Sequence, residues 1–269
     1  MLGYGKDIAS SFSTRMAVKT SSFGLQAGDL LLAVAISFYP DSSYPTPEAG
    51  ASDILGWTTL LTDSYPSSNS YKVYSRQWGS SEPNTLASFL VNNEPGVLHV
   101  TGWTGVDPST PIAAFADLSN SHASSTAIDA PSVLAVDNSV LYCAFSWSKG
   151  GSFSGPTTTI DLPVDLTRLG GALTDAAGDY MALTSGTRAA NAGATGVETA
   201  TAGGGPTAGA HTTCAGMSVV MQPPIPAFDW FVPAPQPAVQ HRVDFASASA
   251  APGPPPQTDF PGYAHVGLP

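Results

Sequence analysis

One stretch of the chain comes close to the motif of a nucleophilic serine. Gly150-Gly-Ser152-Phe-Ser154 places a serine two residues after a glycine, but Ser154 stands where the G-x-S-x-G elbow needs its last glycine. The elbow also needs a helix after the serine, and helical periodicity is nearly absent from this sequence. We therefore interpret the stretch as a surface loop and expect no acyl-transfer chemistry there.

One histidine and one cysteine are close enough to suggest a metal site. His211 and Cys214 are three residues apart in a segment that reads as a strand, so alternation places their side chains on opposite faces. No other histidine has the spacing of a zinc ligand. Asp161 and Asp165 could offer oxygens to calcium, but a solvated loop explains them better. We expect no metal and no other cofactor.

Carbohydrate chemistry is a further candidate. Paired carboxylates that hydrolyse glycosides meet only in the folded protein, but the acidic residues here fall mostly in turns, and turn chemistry explains them. Aromatic residues on strands belong more often to the core than to a sugar-stacking platform. Four tryptophans could form such a platform: Trp57, Trp78, Trp103 and Trp147. A carbohydrate-binding module is thus an alternative, and an enzyme is not expected.

The charge of the chain argues against two classes of partner. Charged residues make up 11% of the sequence, against roughly 25% in ordinary domains. The formal net charge is −11 and the nine basic residues are scattered, whereas a nucleic-acid binder needs a clustered basic face. An anionic membrane surface is disfavoured for the same reason, so we expect neither nucleic acid nor membrane as a partner.

No segment of the sequence reads as a targeting or anchoring element. The first residues lack the basic and apolar regions of a secretory signal, and the longest aliphatic run, Leu30 to Ile36, is too short to cross a bilayer. Cys143 and Cys214 each lie in an apolar strand-like run. We interpret both as buried thiols, although a disulfide between them stays open.

The elements that would position a site are strands, and two of them read as copies. Residues 25–38 align without a gap on residues 134–147, an offset of 109 residues. Trp103 to Val106 matches Ser218 to Met221 at the ends of the copies. Further strands lie at regular spacing between Gly- and Pro-containing turns. We predict an all-β, jelly-roll-like β-sandwich over residues 1–222, built from two related halves that form a pseudo-repeat of residues 20–112 and 123–222.

The last 47 residues form a Pro-rich C-terminal arm, residues 223–269, which holds 12 of the 24 prolines. This composition favours an extended conformation and cannot build its own core. We expect the arm to lie on its own sandwich or on a neighbouring subunit. Its expected partner-binding residues are the large apolar ones: Phe228, Trp230, Phe231, Val232, Phe245, Phe260 and Tyr263.

Several phrases of the sequence resemble a β-sandwich module found in virion proteins of tailed phages of high-GC hosts, often minor tail proteins. The resemblance covers about residues 20–222 and implies a structural, non-enzymatic role with no catalytic residues. The phrases are Leu-Gln-Ala-Gly-Asp-Leu-Leu-Leu-Ala-Val (25–34), Gly-Trp-Thr-Thr-Leu-Leu (56–61), Tyr-Lys-Val-Tyr-Ser-Arg (71–76), Glu-Pro (82–83), Trp-Thr-Gly-Val-Asp-Pro-Ser-Thr-Pro-Ile (103–112) and Ala-Ser-Ser-Thr-Ala-Ile-Asp-Ala-Pro-Ser-Val (123–133).

The resemblance leads us to expect a minor tail or tail-tip protein that docks on neighbouring virion subunits through its arm. A head decoration or head fibre protein is one alternative, and a carbohydrate-binding module for host-surface recognition is another. The expected partners are other virion proteins, copies of the chain itself (for instance as a trimer) and a host-surface glycan. The expected location is the phage particle, after synthesis in the host cytoplasm without a signal peptide.

Overall fold

The computed structural model describes residues 2–37, 45–50, 53–64, 70–80, 82, 86–121, 126–149, 159–176, 179–202 and 212–224. Within these ranges the regular elements are β-strands, which confirms the all-β fold class. No helix in the described part of the chain could span a membrane. The chain divides into residues 1–226 and residues 227–269, and only the first of these contains described residues.

Sixteen strands are present in the described ranges. Those of the first half are β1 (Leu2–Lys19), β2 (Leu30–Ser37), β3 (Thr46–Pro47), β4 (Thr58–Ser64), β5 (Ser70–Gln77) and β6 (Leu86–Thr104). Those of the second half are β7 (Ile112–Ser121), β8 (Ala127–Ala130), β9 (Leu134–Ala135), β10 (Ser139–Lys149), β11 (Ile160–Asp161), β12 (Thr167–Ala176), β13 (Asp179–Ala190), β14 (Gly193–Ala194), β15 (Glu198–Ala202) and β16 (Thr212–Met221). Strand β1 is 18 residues long.

Two antiparallel sheets lie face to face. Their strand orders are β1-β6-β2-β5-β4 and β12-β13-β10-β16-β7. Alternate side chains of β2 and β10, such as Leu32 and Tyr142, point into one shared apolar cluster between the sheets. Trp103 packs edge-on against Tyr142, with ring centroids 5.7 Å apart. These contacts confirm the predicted β-sandwich.

The outer face of each sheet is also covered, so each half has a second core of its own. The end of β1, the first part of β6 and β3 form a layer over the first sheet, where Phe89 packs with Leu31. Strands β11, β15 and β8 form the matching layer over the second sheet, where Ile128 packs with Phe145. Because β2 and β10 are buried on both faces, their sequences read as continuous apolar runs.

The two halves have the same topology, which confirms that they are related. Strand β1 corresponds to β7 followed by β8, and β6 corresponds to β15 followed by β16. The remaining pairs are β2 with β10, β3 with β11, β4 with β12 and β5 with β13. These equivalences include residues ahead of position 20, where the first repeat was expected to begin. The domain limits themselves stay predictions.

The gapless alignment of the two copies is wrong by one residue. An offset of 109 would match Leu32 with Leu141, but Leu32 points between the sheets while Leu141 points to the outer cluster. A shift of one residue turns every side chain of a strand to the other face. The structure matches Leu32 with Tyr142, an offset of 110.

The turns before β2 and β10 support the corrected offset of 110. The amide of Asp29 donates to the carbonyl of Gln26 in one turn, and the amide of Ser139 donates to that of Val136 in the other. The residue before each donor has positive φ, 93° at Gly28 and 58° at Asn138. Both turns therefore share this hydrogen bond and a positive φ at the same position.

The proposed match between the ends of the halves is wrong as well. Trp103 pairs with Leu30, and Met221 pairs with Val140. Because Leu30 and Val140 are equivalent, Trp103 corresponds to Met221 and not to Ser218.

Candidate functional site

The predicted partner-binding residues of the arm fall outside the described residues, so their role stays a prediction. They are Phe228, Trp230, Phe231, Val232, Phe245, Phe260 and Tyr263. Residues 150–154, which hold the serine motif, and His211 also fall outside them.

The four tryptophans do not form one exposed platform. Trp103 lies in the core between the sheets and Trp147 lies in the outer core of the second half, with exposed fractions of 1% and 2%. Trp57 and Trp78 are half-buried against the outer core of the first half. Trp57 packs against Phe89 with ring centroids 5.5 Å apart. Of these four tryptophans, Trp57 and Trp78 are thus the two left for a sugar-stacking surface.

Acidic side chains in the described turns hold backbone amides, as the sequence predicts. Asp29 Oδ2 accepts from the amide of Gln26 at 2.6 Å. Asp107 Oδ1 accepts from the amides of Ser109 and Thr110 at 2.7 and 3.0 Å. These carboxylates therefore stabilise the turns in which they lie. No group of three or more His, Cys, Asp or Glu side chains in the described ranges could hold a metal ion.

Both cysteines are buried free thiols, as interpreted from the sequence. Cys143 pairs across the sheet with Ser218, while Cys214 pairs with Trp147, so the two thiols are four residue positions apart along the strands. Burial raises the pKa of Cys143 to about 12 and that of Cys214 to about 11. The thiols therefore stay protonated at neutral pH, which makes them poor nucleophiles.

A histidine and a serine meet between the two sheets. His99 Nε2 lies 3.4 Å from Ser185 Oγ, and both side chains are wholly buried. The indole Nε1 of Trp103 donates to Thr101 Oγ1 in the same layer at 2.8 Å. A nucleophile needs access to its substrate, and this pair has no exposed surface. We interpret it as a polar contact that joins the sheets.

Two arginines that sequence reasoning missed occupy equivalent positions. Arg76 pairs across the sheet with Leu31, and Arg188 pairs with Leu141. Arg76 Nη2 lies 2.7 Å from Glu82 Oε2, and Arg188 Nη2 lies 2.7 Å from Glu198 Oε1. These pairs could not be predicted from sequence spacing, because the number of residues between arginine and glutamate differs between the two halves.

Strand β7 is one of the two edge strands of the second sheet among the described strands, and it exposes large apolar side chains. Phe115 pairs with Val219, whose side chain points between the sheets, so Phe115 lies on the inner face. Leu118 pairs with Gly216, which faces the outer layer, so Leu118 lies on the outer face. Phe115 is 43% exposed and Leu118 is 41% exposed. The strand thus presents apolar surface on both of its faces.

Three turns at one end of the second half each expose aliphatic side chains. We call this group of side chains the aliphatic tip, and it consists of Leu134, Val136, Val164 and Val197. Strand β9 in the first turn pairs with β14 in the third, and Arg188 reaches from β13 to Asp165 in the second. The turns are therefore connected to one another.

Comparison of the chain with protein-family models, with curated proteins and with solved structures gave no match. The resemblance to phage tail proteins therefore stays an expectation from the sequence.

Proposed function

We propose that the chain is a non-enzymatic structural protein of a tailed phage particle, in the form of a minor tail or tail-tip protein. In this proposal residues 223–269 dock on neighbouring virion subunits, and further copies of the chain can be among those neighbours. The resemblance of residues 20–222 to tail proteins suggests the particle. The exposed edge strand β7 is the observation that supports a role in assembly.

An edge strand attracts other strands, and soluble proteins usually protect it with charge, proline or a bulge. Strand β7 has ten residues and contains one charged residue, Asp117. Its one register irregularity lies at its start, between Ile112 and Ala114. Phe115 and Leu118 in the middle of the strand are exposed. Such an edge suits a protein that other subunits surround.

The test compares incorporation of the full chain with incorporation of a chain that lacks residues 223–269. Phage particles are purified on a density gradient, and the chain is quantified by mass spectrometry. We expect the full chain in the particle and at least a tenfold lower amount of the truncated chain. An arm that proteases remove from the intact particle, together with unchanged incorporation after its deletion, would contradict the proposal.

Labelling of the same particles shows where on the particle the chain lies. Gold-labelled antibody against the sandwich should decorate the tail or its tip. Labelling of the capsid would favour the head decoration or head fibre alternative. As a matched control for edge effects, Phe115→Lys changes β7 and leaves residues 223–269 intact, so its incorporation separates a contribution of the edge from that of the arm.

A further inference from the structure

The aliphatic tip exposes four branched side chains where turns usually carry polar ones. The exposed fractions are 71% for Leu134, 37% for Val136, 106% for Val164 and 59% for Val197. Single exposed apolar residues are common on protein surfaces, whereas several of them at one end of a fold suggest an interaction site. The question is whether the fold itself needs these residues.

The backbone of the first and third turns is held by pairing and by a side-chain hydrogen bond. Leu134 pairs with Ala194 in the ladder of β9 and β14. Asp137 Oδ1 accepts from the amide of Ala192 at 3.0 Å. These bonds hold the backbone that presents Leu134 and Val136, and they do not involve either aliphatic side chain.

The second turn is joined to the third through an arginine. Arg188 Nη2 donates to the carbonyl of Thr195 at 2.6 Å, and Arg188 Nε lies 3.2 Å from Asp165 Oδ2. The same guanidinium binds Glu198 Oε1. Val164 and Val197 are chain neighbours of these carboxylates, so the contacts bring them to the same end of the second half.

The first half provides an internal comparison, because it builds the same turn from other residues. At the offset of 110, Leu134 corresponds to Gly24 and Val136 corresponds to Gln26. Gly24 and Gln26 are exposed, as their counterparts are. The turn forms without an aliphatic side chain at either position. The fold therefore does not require Leu134 and Val136, and their presence in only one half points to binding.

The charges around the aliphatic tip restrict the partner. Asp137, Asp165 and Glu198 follow Val136, Val164 and Val197 directly in the sequence. Glu198 is buried in its ion pair with Arg188, so the exposed carboxylates of Asp137 and Asp165 leave an excess of negative charge at the surface. Two copies would oppose their carboxylates, which costs free energy. The three turns contain no aromatic residue for stacking a sugar.

We propose that the aliphatic tip docks into an apolar hollow with a basic rim on a different protein. The aliphatic side chains would supply buried contact area, and the carboxylates would orient the partner through charge complementarity. This inference goes beyond the proposed function because it does not require the partner to be a virion protein.

The test uses the photo-crosslinker p-benzoylphenylalanine in the full chain, made in the cells that normally produce it. One version carries it in place of Leu134, and the matched control carries it in place of Gln26, the equivalent position of the first half. Mass spectrometry identifies the crosslinked peptides. We expect one partner protein at position 134, crosslinked at an apolar segment flanked by Lys or Arg, and little crosslinking at position 26.

A second measurement uses the crosslinked partner in purified form. Binding to the full chain should weaken with added salt, and the double variant Val164→Ser, Val197→Ser should bind about tenfold more weakly. Its thermal unfolding should match that of the unchanged chain. Equal crosslinking at both positions, crosslinking to a second copy, adducts with lipid, or no crosslinking at position 134 would each overturn the inference.

Discussion

Arg76 and Arg188 share three contacts in the two halves of the molecule, although Arg188 also binds Asp165 and the carbonyl of Thr195. Each pairs across the sheet with a leucine, Leu31 or Leu141, at equivalent positions of β2 and β10. Each donates through Nη1 to the carbonyl of the residue that follows it and forms an ion pair with a glutamate. The duplication therefore includes the side-chain contacts of these arginines as well as the strand order.

Removal of either arginine should destabilise the protein because its glutamate would lose its counter-charge. The side chains of Glu82 and Glu198 are only 6% and 8% exposed. We expect Arg188→Met to lower the free energy of unfolding by about 2–3 kcal/mol, and Arg76→Met to have a similar effect. Urea denaturation measures both. Lys19→Met, at an exposed position, should change the value by less than about 0.5 kcal/mol.

Gly216 tests the packing of the outer layer on the second sheet. A Cβ atom at this position would lie 2.6 Å from the carbonyl carbon of Asp129 and 2.8 Å from the amide nitrogen of Ala130. Backbone cannot move aside cheaply, so we expect Gly216→Ala to cost about 2 kcal/mol or more in unfolding free energy.

The control for this change is Gly79→Ala. A Cβ there meets its nearest neighbour, Glu82 Oε2, at an ordinary 3.6 Å, so we expect stability to change little. Equal effects of the two substitutions would mean that β8 does not lie against β16 as described.

Asn138 should tolerate glycine because its backbone has positive φ. Glycine adopts this conformation without the steric cost that L-residues meet. We expect Asn138→Gly to leave stability unchanged or to raise it by up to about 1 kcal/mol, and Gly28→Ala to lower it by about 1 kcal/mol. Ala27→Gly, which adds backbone freedom beside Gly28, should lower stability by up to about 1 kcal/mol. Thermal unfolding of the three variants measures these effects.

The buried thiols should make the protein less stable in alkaline solution. The pKa of Cys143 rises from 9.0 to about 12 on burial, so above pH 9 the unfolded chain loses a proton that the folded chain keeps. Stability is therefore complete below pH 9 and falls as the pH rises towards 12. The loss should be about 1 kcal/mol per thiol between pH 9 and pH 10.

Thiol titration checks the same burial directly. At pH 8 we expect neither Cys143 nor Cys214 to react with Ellman's reagent in the folded protein, and both to react in urea. Cys143→Ala should reduce the alkaline loss of stability. A thiol that reacts as fast in the folded protein as in urea would contradict the burial of that residue.

The sequence was sufficient to predict the fold class. It was not sufficient to align the two copies, because their apolar runs do not show which residues point to which face of the sheet. Alternating strands reveal which residues face the core, but β2 and β10 are apolar on both faces because a layer covers each side. An alignment of such runs by residue type can slip by one position, as it did between Leu32 and Leu141. Only the positive φ of Gly28 and Asn138 and the cross-strand pairing settle the offset.

The surfaces were harder to predict than the core. Leu134 and Val164 look like ordinary loop residues in the sequence, and their exposure depends on how three turns meet in space. The ion pair of Arg188 with Glu198 likewise depends on which strands are neighbours. Conversely, the turn aspartates Asp29 and Asp107 were predictable, because their hydrogen bonds are local to the chain.

The central claim is that this chain is a structural component of a phage particle. Its most direct test is to quantify the chain across a density gradient of the lysate in which it is made. The account predicts a constant number of copies per particle in the fractions that hold infectious phage, and retention of the chain after a high-salt wash. Recovery of the chain only among soluble proteins at the top of the gradient would contradict the account.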